Sequence, residues 1–170
     1  MKKSFLIPGH AVALNDKVYI GNTLLGTVIE RAFQNQYDFA YVENNGNTAT
    51  NKLPNGNTLP LGSAYSDPPQ GLNLSAYGCV SGKQSGKILS VNYSNSIDGV
   101  AVKGMLKTSY TAVHRDSGAP VWSSDSPVGM QSASALSSNG AWVSGSFTIC
   151  TVLYEICKRG SVHDIYLTTF

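Results

Sequence analysis

At 170 residues the chain is long enough to bury a substantial core, and all-β barrels of this size commonly form one structural unit. Only 13% of its residues are charged, against roughly a quarter in an average soluble protein, and Gly, Ser, Thr and Asn are abundant, which is the profile of a turn-rich β protein. A net charge of +2 with scattered Lys and Arg excludes a nucleic-acid or anionic-membrane surface, and no apolar stretch approaches the roughly 20 residues needed to span a bilayer, so a soluble chain is expected.

The first residues, Met1 to Ala13, have a basic tip, a short apolar run and an Ala-x-Ala ending, like a secretory leader. Pro8, Gly9 and His10 interrupt that run, and His10 is itself a candidate functional residue, so the leader reading is rejected. Short apolar or alternating runs follow at Phe5 to Ile7, Val18 to Ile20, Leu25 to Phe33 and Phe39 to Val42, separated by Gly, Asn and Asp, and they predict a β meander. Asp38 opens the last of these runs. From Asn44 to Gly71 turn sequences dominate (NNG, PNG, DPP), with at most a short strand near Leu59 to Leu61, and the boundary between two β lobes is placed here, at residues 1–60 and 61–170.

Six further short strands are predicted in the second lobe: Tyr77 to Val80, Lys87 to Tyr93, Val100 to Leu106, Pro120 to Trp122, Val128 to Ser132 and Trp142 to Cys150. Thr151 to Arg159 carries apolar residues at Val152, Leu153, Ile156 and Cys157, the spacing of a helix face, with cations in its last turn and Gly160 as the stop. A final strand is predicted at Asp164 to Phe170. No internal repeat is visible.

The most informative segment is Val113 to Trp122 (VHRDSGAPVW), because Asp-Ser-Gly followed by a small residue and Pro-Val is how a tight turn presents a nucleophilic serine. A serine hydroxyl needs a base, and the base needs an orienting carboxylate. His10 and Asp38 supply both, and the chain order His, Asp, Ser differs from that of the α/β-hydrolases and of subtilisin.

Four ordered segments together resemble the chymotrypsin-like serine peptidases, most closely their compact bacterial branch of streptogrisin and alpha-lytic protease type. These are the Gly9-His10 turn, Gly26 to Phe33 (GTVIERAF) leading to Asp38, Gly78 to Gly86 (GCVSGKQSG), and Asp116 to Val121 followed by Pro127 to Ser132 (PVGMQS). The resemblance implies an all-β fold of two antiparallel β-barrel lobes with an active-site cleft between them, a C-terminal helix, and endopeptidase chemistry through an acyl-enzyme with no cofactor or metal. It implies a catalytic triad of His10, Asp38 and Ser117, and an oxyanion hole built from the backbone N–H groups of Arg115 and Ser117. Pocket walls would be Thr111 to His114 and Gln131, Ser132, Ala133 and Ser134, with Thr111 at the base.

No acid stands at that base, so cleavage after Arg or Lys is not expected; small or medium apolar residues are, with polar or acidic ones left open. Arg115 stands where the family ordinarily has glycine, and Ala119 replaces another common glycine. Asp116 is expected to be a buried structural carboxylate held by a donor or a cation, Arg115 among the candidates. Only nine residues precede His10, so the first lobe is expected to be truncated by about two strands relative to the family. A late start, a compact variant or strands supplied by a partner chain would each account for this. The substrate implied is a polypeptide, and the alternative role is a catalytically impaired, protease-like binding or assembly module.

Cys79, Cys150 and Cys157 form an odd set without the family's usual bridges, and are read as small buried apolar residues, not metal ligands. The methionines are read as core filler, His163 as a surface residue and His114 as a pocket-edge residue. Family resemblance points to secretion, while the chain offers neither a convincing leader nor a disulfide framework, so localisation stays open.

Overall fold

A computed structural model describes residues 4–156, apart from residues 35, 36, 49, 51, 54, 60, 61, 137, 142 and 155. Ten strands make up almost all of its regular structure: β1 (Ser4–Ile7), β2 (Lys17–Ile20), β3 (Thr23–Phe33), β4 (Asp38–Asn44), β5 (Asn73–Gly78), β6 (Gly82–Ile97), β7 (Val100–Thr108), β8 (Pro120–Ser123), β9 (Ser126–Ala135) and β10 (Phe147–Val152). The fold is all-β, with two antiparallel sheets.

The first four strands form an open sheet in the order β1-β4-β3-β2, and the other six close into a barrel in the order β10-β7-β6-β5-β8-β9. The first lobe is therefore a four-stranded sheet and the second a complete barrel. Strand β4 lies between β1 and β3, and its run Phe39 to Val42 is fully buried, which is why this strand reads as continuous apolar sequence. The barrel core contains Leu74, Ile88, Leu106, Tyr110, Val121, Val128 and Cys150.

Two apolar clusters join the lobes. Phe39 and Tyr41 of β4 pack with Met130 and Ile156, and Phe33 at the end of β3 packs against Ile97, Val102, Met105 and Ile149 of the barrel. The Tyr41 hydroxyl donates to the Ile156 carbonyl at 3.1 Å, and Thr151 Oγ1 donates to the Asp38 carbonyl at 3.1 Å. Met105 and Met130 are core residues, as expected.

Several expected boundaries need correction. The tenth strand begins at Phe147, not at Trp142, because the chain turns over Val143–Ser146 with Gly145 at φ 88°. Thr151 and Val152 extend β10 because they pair with Met130 and Gly129 of β9, so the expected helix over 151–159 cannot start there. Leu153, Tyr154 and Ile156 are helical, while residues 157–159, with Cys157, the strand at 164–170 and His163, lie outside the described residues. Leu59 is buried but belongs to no strand; the neighbouring pairing is a single bridge between Lys52 and Thr58. The fifth strand runs from Asn73 to Gly78, leaving Cys79 and Val80 in a turn.

Candidate active site

His10 sits in a single 3-10 turn, Gly9–Ala11, entered through Pro8 in extended conformation. Asp38, at the first position of β4, is completely buried and accepts two bonds from this turn. The His10 backbone N–H donates to Oδ1 at 2.7 Å, and Nδ1 lies 2.7 Å from Oδ2. One carboxylate thus fixes both the backbone and the ring of His10 and assigns the proton of the neutral ring to Nδ1, and Nε2 bonds no described residue. Arg31 Nε braces the same turn by donating to the Gly9 carbonyl at 2.7 Å.

The hydrogen bond to Asp38 raises the His10 pKa above its ordinary 6.5, against the opposing effect of burial. The charges of Asp38 and Asp98 push the same way, while Arg31 opposes them.

Ser117 belongs to a loop folded around Asp116. The Asp116 carboxylate accepts the backbone N–H groups of Val80 and Ser81 at 2.8 and 3.2 Å through Oδ1, and that of Val113 at 3.0 Å through Oδ2. Burial pushes this carboxyl up, but the N–H groups of Val113, Val80 and Ser81 and the Ser81 hydroxyl outweigh it and hold the pKa below its ordinary value. The partners of Asp116 are therefore backbone N–H groups and the Ser81 hydroxyl, not Arg115. Gly78 is required beside it, since a Cβ there would collide with Asp116 Oδ1.

Gly118, at φ 92°, packs under Pro8, and so the serine loop meets the histidine turn. His10 and Ser117 line one cleft of about 320 Å³, together with Ile97 and Asp98 of the β6–β7 hairpin and Val113 and His114 of the serine loop. Arg115, Gln131, Ser132, Ala133, Ser134 and Leu136 complete the lining. Thr111 is not part of this lining: the chain beside it is drawn into the barrel core by Tyr110 and Ala112.

The Ser117 hydroxyl donates to the Ser132 carbonyl at 2.9 Å, and no hydrogen bond links it to His10. Strand β9 explains where that acceptor comes from. Ile149 pairs with Ala133 and Cys150 with Gln131, so Ser132 is the extra residue of a bulge, and bulges re-aim groups beside functional sites. The Ser132 hydroxyl in turn bonds Thr151 Oγ1 at 2.9 Å, completing a chain from Ser117 through Ser132 and Thr151 to the Asp38 carbonyl.

Arg115 takes φ 79°, the left-handed region that glycine enters without strain. Its carbonyl accepts the Cys79 thiol at 2.8 Å. Among the described residues, the N–H groups of Arg115 and Ser117 have no acceptor. Cys79 is exposed, contrary to the expectation that all the cysteines are buried, because it lies on the turn that wraps Asp116. Cys150 is buried as expected, 2.7 Å from the Tyr110 hydroxyl, and burial pushes its thiol up to about 12.

Sequence reasoning missed Asp98, Ile97 and the Ser132–Thr151 link. The Asp-Gly pair at positions 98 and 99 was a legible hairpin signal, but its reach across the cleft depends on contacts distant in sequence.

No family model matches the chain, and no curated protein matches it. Solved structures do. A chymotrypsin from Cellulomonas bogoriensis aligns with a TM-score of 0.79 at 20% identity, covering 96% of this chain and 85% of that one. A protease from Nocardiopsis gives 0.79 at 23% identity over 93% and 82% of the two chains, and protease A from Thermobifida fusca gives 0.76 at 22% over 91% and 80%. The open first sheet and the closed second barrel thus form the fold of the bacterial chymotrypsin-like serine proteases.

Proposed function

We propose that the chain is a serine endopeptidase in which Ser117, His10 and Asp38 act as nucleophile, general base and orienting carboxylate. The observation that carries this reading is the buried Asp38 carboxylate holding His10 by two bonds of 2.7 Å in the cleft that also contains Ser117.

The chemistry follows from the atoms. The Ser117 hydroxyl leaves the Ser132 carbonyl by a side-chain rotation, passes its proton to His10 Nε2 and bonds the scissile carbonyl carbon through Oγ. The imidazolium is stabilised by Asp38 through Nδ1–H, and the oxyanion is met by the otherwise unbonded N–H groups of Arg115 and Ser117. Collapse breaks the C–N bond, the leaving amine takes the proton from Nε2, and water repeats the sequence to release the acid.

A polypeptide fits this cleft as an added strand. Beyond Gln131, whose backbone bonds Gly118 and Ala119, no described strand flanks β9 on this side, so the Ser132 to Ser134 edge is available to an extended chain. The acyl side chain would enter between Val113–His114 and Gln131–Ser134, with small or medium apolar residues preferred.

The test is incubation of the chain, and of Ser117→Ala, with a diverse peptide mixture followed by mass spectrometry of the products. Internal cleavage by the wild type alone supports the proposal, and cleavage concentrated after Arg or Lys would refute the pocket assignment. A second reading, a protease-like binding module, is favoured by one observation: the Ser117 hydroxyl is bonded to Ser132 and not to His10.

A further inference from the structure

Strands β6 and β7 form a long hairpin whose tip is the two-residue turn Asp98-Gly99, with Ile97 paired to Val100. Asp98 at φ 49° and Gly99 at φ 80° give this turn the left-handed backbone that Asp-Gly sequences favour. The tip is anchored, since Ile97 is buried with Val102, Met105 and Ile149, and Phe33 of the first lobe packs on that cluster. The Phe33 ring is itself 6.0 Å from the His10 ring. The hairpin thereby delivers the Asp98 carboxylate to the wall of the cleft shared by His10 and Ser117.

Asp98 is exposed and has no hydrogen bond or ion pair with any described residue. The other charged or titratable groups lining the cleft are His10, His114 and Arg115, so Asp98 is its only anionic side chain among the described residues. Its field reaches His10, whose pKa it helps to raise.

Side chains of an extended peptide alternate between two faces. If the acyl residue turns its side chain in between Val113–His114 and Gln131–Ser134, the residue before it turns the other way, toward the lining residues that Phe33 and the Asp98 field group with His10, namely Ile97 and Asp98. We infer that Asp98 is a specificity-determining residue that selects a lysine or arginine side chain at the position immediately before the acyl residue of a bound polypeptide. The cation meets the unpaired carboxylate while its aliphatic stem lies along Ile97. This preference is separate from that of the acyl pocket, which has no acid. The inference rests on the peptide-binding reading of the cleft but not on turnover.

Asp98→Asn isolates the charge, because asparagine serves the same left-handed turn. In Ser117→Ala protein, the binding of two dye-labelled peptides ending in Ala-Ala-Lys-Ala or Ala-Ala-norleucine-Ala with a free carboxylate is measured by fluorescence anisotropy. The lysine peptide is expected to bind about fivefold tighter, as one exposed ion pair allows, with the ratio shrinking in added salt and falling to near one with Asp98→Asn. A ratio near one without that substitution, a ratio unchanged by it, or no measurable binding of the lysine peptide would overturn the inference. Fluorophosphonate labelling of the wild type tests the nucleophile separately, so failure of the peptidase reading and failure of this inference are distinguishable.

Discussion

Asp38 holds His10 through both its backbone and its ring, so its removal disturbs position and tautomer together. Under the proposed mechanism, Asp38→Asn lowers kcat by about 10³ to 10⁴-fold with little change in KM, measured on a peptide amide. The raised His10 pKa has two consequences of definite sign. If His10 acts as the proposed base, activity requires the neutral ring, so kcat/KM rises with pH through a midpoint above 6.5, and Asp98→Asn moves that midpoint down by removing one of the raising charges. For stability, a folded pKa above the unfolded one contributes stability that is fully present below the unfolded pKa and is lost as pH rises through the folded value. Urea unfolding of wild type against His10→Ala therefore shows the larger difference on the acid side. A stability difference that grows with increasing pH would contradict the assignment.

At the scale of elements, two devices hold the cleft together, the loop around Asp116 and the β9 bulge. A methyl group on Gly78 collides with the Asp116 carboxylate, so Gly78→Ala is expected to cost about 1 to 3 kcal/mol in chemical denaturation and to displace the serine loop. Thr151→Val keeps the shape of the strand but removes the hydroxyl between Ser132 and Asp38, leaving buried groups unsatisfied. The expected cost is about 1 to 3 kcal/mol, with a fall in kcat larger than any change in KM because Asp38 loses a support. Equal loss of activity and folded fraction would instead make Thr151 a purely structural residue. The strands behind these devices were largely legible, since Phe5 to Ile7, Phe39 to Val42 and Pro120 to Trp122 alternate or run apolar as buried strands do. Thr151 and Val152 were misread as the start of a helix because the apolar spacing from Val152 onward fits a helix face, and only pairing with β9, far back in the chain, assigns these two residues to a strand.

Across the whole molecule, Asp38 lies on a strand of the open sheet and His10 on a turn between its strands, while Ser117 lies on a loop of the closed barrel, so the candidate site depends on how the lobes meet. Phe39, fully buried in the cluster shared with Met130 and Ile156, bears on that junction. Phe39→Ala is expected to cost about 3 to 5 kcal/mol, measured by denaturant unfolding, and to reduce activity even where the barrel stays folded. The proposed chemistry of the site rests on residue types and their order, with His10, Asp38 and Ser117 each legible in a local sequence setting. The sequence did not announce the bulge that aims the Ser132 carbonyl at Ser117, nor the hairpin that carries Asp98 to the cleft, because both arise from register and packing between distant strands. Arg115 was visible as a departure, but its left-handed backbone and the Cys79 thiol on its carbonyl belong to the folded loop alone.

Under the proposed mechanism His10, oriented by Asp38, activates Ser117 across the junction of the two lobes. That activation is tested most directly by reacting the folded chain with a fluorophosphonate and mapping the adduct by mass spectrometry, with Ser117→Ala and His10→Ala alongside. A single adduct on Ser117, lost in both variants, is expected. Folded protein that remains unlabelled, or that is labelled at Ser117 equally well without His10, would contradict it.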